Sequence, residues 1–509
     1  MSSNEDISRF IFLPQANSSG RTPTLTRIVA LYIFEQERKF IMKKIDRRKA
    51  IKNLAGGIGG ASLLSSPLTG LANTGDGENK KIPVKAFGNS DINEPVTAIT
   101  LGAGARGNVY GNYGGQFPKE LKIVGVAEPI AIRNERYAIK HSIPDENRFT
   151  TWEHVFERPK FADAVIITTP DDLHYGPCMK ALEMGYDVLL EKPIAPTEEE
   201  CRDILALSKK TGRIVAVCHV LRYAPYFIKL REMIQSGMIG ELISVQHLEP
   251  IQHVHMAHSY VRGNWHDAKK TTPIILAKSC HDLDILRWMV GKPCKSITAY
   301  GSLKWFKADN APEGSTNRCT DGCAVEAECP YSALKIYYRD RAWTYVFDMP
   351  EDKAAHGEFI LEQLKTTNYG RCVYKMTNDQ PDHYITSMEF EDDITVNFSM
   401  EAFTSYHGRR TRVMGSHGDI TGDMNKIIHT DFLTGKVTKW DSAVDDVSNY
   451  KNSGHGGGDW ALATDWVNAV KKQDASLLTS TIDASIESHI MGFMAEKSRK
   501  TKQFVPVQL

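Results

Sequence analysis

The sequence has no surplus of either charge: 62 Lys and Arg residues face 62 Asp and Glu, a formal net charge of zero. Without a surplus there is no long-range pull on polyanions, which excludes nucleic acid and anionic membrane surfaces as expected partners. Long apolar runs are also missing. The patch from Ile28 to Phe34 falls far short of the roughly 20 residues a spanning helix needs, so no stable membrane insertion is expected. Closely spaced CxxC pairs are absent although the chain has nine cysteines. What remains is an ordinary globular composition, 41% hydrophobic and 24% charged over 509 residues, long enough for two domains each with its own core. A small neutral ligand suits such a chain.

Residues 1–41 lack sustained periodicity and read as an unstructured leader. Met42, a candidate initiator, opens a different pattern. Arg47 and Arg48 sit in a basic stretch, a Gly- and Ala-rich apolar run follows from Leu54 to Leu64, and Gly70-Leu-Ala72 offers small residues for cleavage. That order is expected of an export signal over 42–72, with the arginine pair resembling the twin-arginine type and implying a periplasmic protein. The alternative is a basic cap on a short buried helix in a cytoplasmic protein. A polar linker over 73–95 leaves nothing to pack such a helix.

Residues 96–101 alternate as a strand and run into Gly102-Ala-Gly104-Ala105-Arg106-Gly107. Glycines at these places permit a tight turn, close approach of backbone to a pyrophosphate, and tight packing of the next helix, whose amino end attracts phosphate. A second apolar strand, 121–127, ends at Glu128, 21 residues past Gly107. An acid there accepts hydrogen bonds from ribose hydroxyls and repels a 2′-phosphate, so NAD is expected over NADP, with Arg133 able to soften the preference. Strands at 164–170, 188–190 and 214–218 alternate with helices at 175–184 and 198–209, the βαβ winding of a parallel sheet over 96–220. Ligands of such sheets sit beyond the carboxyl ends of the strands. This gathers Thr169, Pro170 and His174, the Glu191-Lys192-Pro193 turn, and His219 about one cleft.

The glycine loop at 102–107, the Thr169-Pro170 to His174 segment and Glu191-Lys192-Pro193 together resemble the Gfo/Idh/MocA oxidoreductases from residue 96 to the end. The resemblance implies an α/β protein: an amino-terminal Rossmann dinucleotide-binding domain, then an α+β domain over 221–509 with a large open, mostly antiparallel sheet for substrate binding and oligomerisation. It also implies a cis peptide before Pro193, and a lysine at Lys192 that contacts both cofactor and substrate.

In the second half, helices at 222–236 and 280–290 precede alternating strands such as 387–390 and 394–398. His281 and Asp284 are three apart on a helix and share a face. Many family members carry aspartate four residues before this histidine, where this chain has Ala277, with Lys278 the nearest polar residue. His281, tuned by Asp284 or Lys278, is therefore the expected base: a histidine of reference pKa about 6.5 suits the hydroxyl proton released as a carbinol is oxidised. Lys192 either acts as base, which requires lowering from about 10.4 to roughly 7–8, or stays charged and polarises the substrate oxygen. His258, Arg262 and Trp265, with a second stretch at Gly454-His455-Gly-Gly-Gly-Asp459-Trp460, interleave polar and aromatic groups as a hydroxyl-rich ligand requires, and carbohydrate is the implied substrate class.

Five cysteines, Cys178, Cys201, Cys218, Cys280 and Cys294, fall within expected helices and strands as small apolar groups. Cys319, Cys323, Cys329 and Cys372 fall in loops. A structural zinc or a simple thiol cluster is slightly favoured over a pair of disulfides. The sequence thus predicts an NAD-dependent sugar, polyol or glycoside oxidoreductase that is exported with its cofactor held, without dissociation, and forms a homo-oligomer. The alternatives are a glycosidase that oxidises its substrate transiently and a non-catalytic NAD-containing carbohydrate-binding protein.

Overall fold

The computed structural model describes residues 94–445, 450 and 453–508. The expected leader, the export signal and nearly all of the 73–95 linker lie outside the described residues. Among those described, no helix is long and apolar enough to cross a membrane.

Six short strands, β1 (Val96–Leu101), β2 (Leu121–Ala127), β3 (Arg148–Phe149), β4 (Ala164–Ile167), β5 (Asp187–Leu190) and β6 (Val215–Val217), form one sheet in the order β3-β2-β1-β4-β5-β6. All its pairings are parallel. β4, β5 and β6 are buried at every position, as their unbroken apolar runs require of strands covered on both faces. The order reverses between β1 and β4, which opens a crevice at the carboxyl ends of these strands. The intervening helices are α1 (Ala105–Gln116), α2 (Ala131–His141), α3 (Tyr175–Glu183) and α4 (Glu198–Thr211). α4 shows how sequence sets its ends: Thr197 and Glu200 form a reciprocal capping box, and Gly212 stops the helix in the left-handed conformation.

The expected helix at 222–236 is broken in two. A short turn, Val220–Tyr223, precedes α5 (Pro225–Gln235), because Pro225 cannot extend a helix but is well placed to start one. α6 (Cys280–Val290) follows. Nine strands, β7 (Leu242–Pro250), β8 (Cys294–Ser302), β9 (His383–Phe390), β10 (Thr395–Glu401), β11 (Arg410–Gly415), β12 (Gly418–Gly422), β13 (Lys426–Asp431), β14 (Val437–Asp441) and β15 (Val505–Pro506), make the second sheet. Its order is β14-β13-β12-β11-β7-β10-β9-β8-β15, antiparallel throughout except where β10 runs beside β7. Residues along β9 and β10 alternate between buried and exposed or half-buried, so one face carries a core and the other is open.

Chain order and core membership part ways near the carboxyl terminus. α7 (Gly458–Lys472) returns to the first sheet, where Ala461, Leu462, Trp466 and Val470 pack with Val96, Ala98, Tyr110 and Tyr113. The 20-residue α8 (Ile482–Thr501) stitches the two sheets together: Ile482, Ile486 and Ile490 join the core around β4 and β5, and Met491 and Ala495 join the core of the second sheet. All five cysteines expected to be small apolar groups are buried.

Trp466 is fully buried in that first core. Trp466→Ala is expected to cost about 3–5 kcal/mol in denaturant unfolding; a loss below about 1 kcal/mol would show that α7 is peripheral to the first sheet.

Candidate functional site: a glycine cradle facing a lysine and histidines

β1 ends in a turn that only glycine can make. Gly102 has φ +93°, and a Cβ there would lie 2.7 Å from the Thr168 carbonyl oxygen. A Cβ on Gly107 would come within 2.1 Å of the Gly102 oxygen, whereas one on Gly104 would meet nothing within 4 Å. The loop is thus packed tight from behind and open at Gly104. α1 starts at Ala105 with no side-chain cap, leaving its first amides available. Glu128, at the end of β2, is buried and oriented by the amides of Ala103 (2.8 Å) and Ile130 (3.0 Å). These residues fit a dinucleotide: donors for the pyrophosphate beside an acid for the ribose.

Arg106 points elsewhere. Its guanidinium reaches Glu191 (2.5 Å), Asp459 (2.9 Å) and the Tyr110 hydroxyl (2.7 Å). Burial would raise the Glu191 and Asp459 carboxyls, but Arg106 pulls both below the usual range, helped by Lys192 at Glu191 and by His455 at Asp459. Glu191 also accepts from Tyr110 and from the Lys192 amide. Both residues therefore act on the cradle by holding its walls. His174 is buried with its ring between the carbonyls of Pro193 (2.7 Å) and Thr169 (3.0 Å), and Thr169 donates to the Leu173 carbonyl. It ties the Thr169–Pro170 loop to the turn that carries Lys192. The Lys192–Pro193 peptide is cis, as the family likeness implied.

Lys192 Nζ donates to the Ala277 carbonyl at 2.8 Å. At the place where the family pattern has an aspartate side chain, the backbone holds the ammonium instead. Lys278 is paired with Glu249 (3.4 Å), and burial lowers its pKa. Glu249 and Asp282 share Arg409, at 2.8 and 2.5 Å. Burial would raise Asp282, but Arg409 and His247 bring it to about 2.

Among the described residues, buried His281 has no hydrogen-bond partner at Nδ1, and His219 has none at either ring nitrogen, its Nε2 standing 3.7 Å from Asp284. Their rings are 6.2 Å apart, and His281 is 5.6 Å from the ring of His455. Burial, then Lys192 and His455, hold the His281 pKa well below the ordinary histidine value; burial, Arg222 and Lys192 do the same at His219. Asp284 does not tune His281. Both its oxygens are taken by Arg222 (2.6 and 2.7 Å), because the side chain turns into the core beneath the helix. Buried ring nitrogens without partners are rare and mark a place that a ligand or water completes.

Of the expected substrate residues, Trp265 reaches the cleft, its Nε1 donating to Asp171 of the Thr169–His174 loop at 3.0 Å. Arg262 is a correction. It is 1% exposed and donates to the carbonyls of Arg371 and Tyr331 in the interior. His258 is likewise spent, on the Tyr337 hydroxyl at 2.7 Å inside a cage of rings. Among the described residues no group of three or more His, Cys, Asp or Glu is arranged to hold a metal ion. Sequence reasoning missed Asp459 and Asp171 as wall residues; the polar stretch 454–460 and the 169–174 segment were the available signals.

Residues 97–219 match the Gfo/Idh/MocA oxidoreductase family's NAD-binding Rossmann fold, and residues 231–509 match its C-terminal alpha/beta domain. The chain belongs to this family. Among Gfo/Idh/MocA relatives, YteT of Bacillus subtilis is 26% identical over 264 residues, 51% of this chain and 59% of that protein. Inositol 2-dehydrogenase 2 of Saccharopolyspora erythraea is 29% identical over 140 residues, 27% of this chain and 38% of its own length. The matched stretch thus spans less than two thirds of either relative. An inositol dehydrogenase homolog from Azotobacter vinelandii, solved with NAD+, aligns with TM-score 0.59 at 17% identity over 82% of this chain and 98% of that one. Levoglucosan dehydrogenase with NADH and levoglucosan aligns with TM-score 0.60 at 15% identity, over 82% and 100%. At these identities the likeness is one of fold.

A base whose folded pKa is depressed stays neutral as pH falls, until that lower value is reached. If His281 takes the substrate proton, the acid limb of kcat/KM falls below the ordinary value of about 6.5. A limb at or above that value, measured across buffers at constant ionic strength, would contradict the assignment.

Proposed function

We propose that the chain is an NAD-dependent oxidoreductase that oxidises a carbinol carbon of a sugar, polyol or glycoside. The observation that carries this is Lys192: its ammonium, anchored on Ala277 O, stands on the turn after β5, across from the neutral, buried His281. A bound nicotinamide supplies the hydride acceptor. The chain does the rest. Lys192 keeps donors free to hold the substrate oxygen, and His281 takes the hydroxyl proton as the carbonyl forms, so proton and hydride leave the same carbinol in balance. The names of the relatives, inositol and levoglucosan dehydrogenases, support a hydroxyl-rich substrate.

A second reading is favoured by one contact. His455 Nδ1 meets Asp459 at 3.0 Å, and a carboxylate that only accepts puts the proton on that nitrogen. The contact fixes the ring and leaves Nε2 as a second acid-base group near His281, as redox-neutral glycoside cleavage by oxidation, elimination and re-reduction requires.

We further propose that NAD is preferred over NADP and retained between turnovers. Arg133, the residue able to accept a 2′-phosphate, is occupied by Asp348 at 2.7 Å, and Arg136 bonds the Met349 carbonyl, so residues around 348 are tied across the edge of the nucleotide half. Residues 42–72 would direct export of the folded holoprotein, with a cytoplasmic protein the alternative, and the open face of the second sheet, bearing exposed Ile243, Tyr300, Ile385 and Ile428, supports self-association.

Three results are expected. In a panel of free sugars, polyols and glycosides, wild-type protein reduces its bound NAD on at least one compound. Lys192→Met lowers kcat by about 10²–10⁴ with nucleotide still bound; no turnover by wild type on any compound would instead favour the non-catalytic reading. Glycoside cleavage without net NADH, with solvent deuterium entering beside the oxidised carbon, would favour the second reading. Asp348→Asn, which frees Arg133, is expected to shift the NADP-to-NAD affinity ratio about tenfold toward NADP, and an unchanged ratio would remove Arg133 from nucleotide selection.

A further inference from the structure

Four of the nine cysteines line one small pocket: Cys319, Cys323, Cys329 and Cys372, with Arg262 and Arg318 beside them. The backbone brings them there. Arg318 and Arg371 form an isolated antiparallel bridge; the Cys319 amide bonds Gly370 O and the Cys372 amide bonds Asn317 O, so these two cysteines stand on adjacent segments of chain. Successive turns, Glu326 N to Cys323 O and Cys329 N to Glu326 O, fold the other two back toward them.

The charge around this pocket does not balance. Arg262 is 1% exposed, its acceptors are the carbonyls of Arg371 and Tyr331, and Nη1 has no partner among the described residues. Arg318 likewise donates to the carbonyls of Leu364 and Thr367. The lining carboxylate, Glu326, is taken by Arg339 and Ser332. A buried cation without an anion is costly. The ionisable groups that face Arg262 are His258, the Tyr337 hydroxyl, which burial pushes well above its usual value, and the thiols: its Nη2 lies 3.9 Å from Cys319 Sγ, which also accepts from the Ala333 amide at 3.3 Å. N–H donors aimed at sulfur are what a thiolate needs.

We propose that Cys319, Cys323, Cys329 and Cys372 bind one zinc ion as thiolates, with Arg262 balancing the negative charge of the centre. Each thiol releases one proton as its S–Zn bond forms, and no electrons move. Zn²⁺ with four thiolates leaves a net negative charge, which the buried guanidinium answers; two disulfides would leave four neutral sulfurs and Arg262 without a counter-charge. Zinc fits the set because four soft sulfur ligands in a closed site suit a redox-inert tetrahedral ion. The sulfurs do not yet stand at ligating positions, so binding draws them inward. The centre would pin the loops at 319–329 to the segment at 372, behind the rings around His258.

The test uses untagged whole protein, washed with chelator and assayed by elemental analysis and non-reducing mass spectrometry. About one zinc per chain is expected, released by a mercurial reagent as these four thiols are consumed. Cys323→Ser and Cys372→Ser should lose the metal, and Arg262→Gln should weaken its retention against chelator by about tenfold or more. If the variants do not fold, wild-type zinc content and thiol titration decide alone. Protein without zinc, whether these cysteines are then found paired as disulfides or free, overturns the proposal, as does zinc that stays bound after all four thiols are blocked.

Discussion

One buried carboxylate holds the cleft together. Glu191 receives Arg106 and Tyr110 from the helix after the glycine loop on one oxygen, and the amide of Lys192 on the other. Arg106 continues to Asp459, and Asp459 to His455. Three segments distant in sequence are thus fixed by a charge network in which each anion is stabilised by a cation and by donors. Removing one member of such a buried pair costs about 3–5 kcal/mol, because the partner stays behind uncompensated. The network turns a lysine on a loop into a lysine at a set position, opposite histidines that burial keeps neutral.

The electrostatics of the substrate side follow from crowding. Lys192, Lys278 and Arg409 stand near one another against Glu249 and Asp282, and the burial that keeps Lys278 below its usual value also disfavours protonating His281. With Ala277 in place of an acid, the Lys192 Nζ bonds a carbonyl that can only accept, and the nearby Glu191 carboxylate is held ionised by Arg106. In the proposed reaction the histidine is therefore the proton acceptor and the lysine the donor.

The first sheet was readable because its strands are short apolar runs broken by helices, one of them with a clear capping box, and because glycine at 102 and 107 answers a steric demand of the turn after β1. Glu128 and Lys192 were readable for the same reason: they sit where strands end. Other features depended on contacts that no local pattern encodes. Arg106 reads as part of the cofactor loop because it sits among its glycines, yet its partner Asp459 lies 353 residues away. Arg262 reads as a polar residue among aromatics, which suits a sugar site and a buried structural cation equally well. Helical spacing placed Asp284 beside His281 but says nothing of Arg222, which claims it from another element. The apolar stripe of α7 could have served either sheet.

The account rests on one spatial claim, that the Lys192 ammonium meets the nicotinamide ring and a substrate hydroxyl at the same time. A crystal structure of the protein with NAD+ and a turned-over sugar or polyol tests it most directly. The expected result has pyrophosphate over Gly104 and Nζ within about 3 Å of the hydroxyl on the carbon facing the nicotinamide. A lysine turned to bulk solvent, or a nucleotide bound away from the glycine loop, would contradict it.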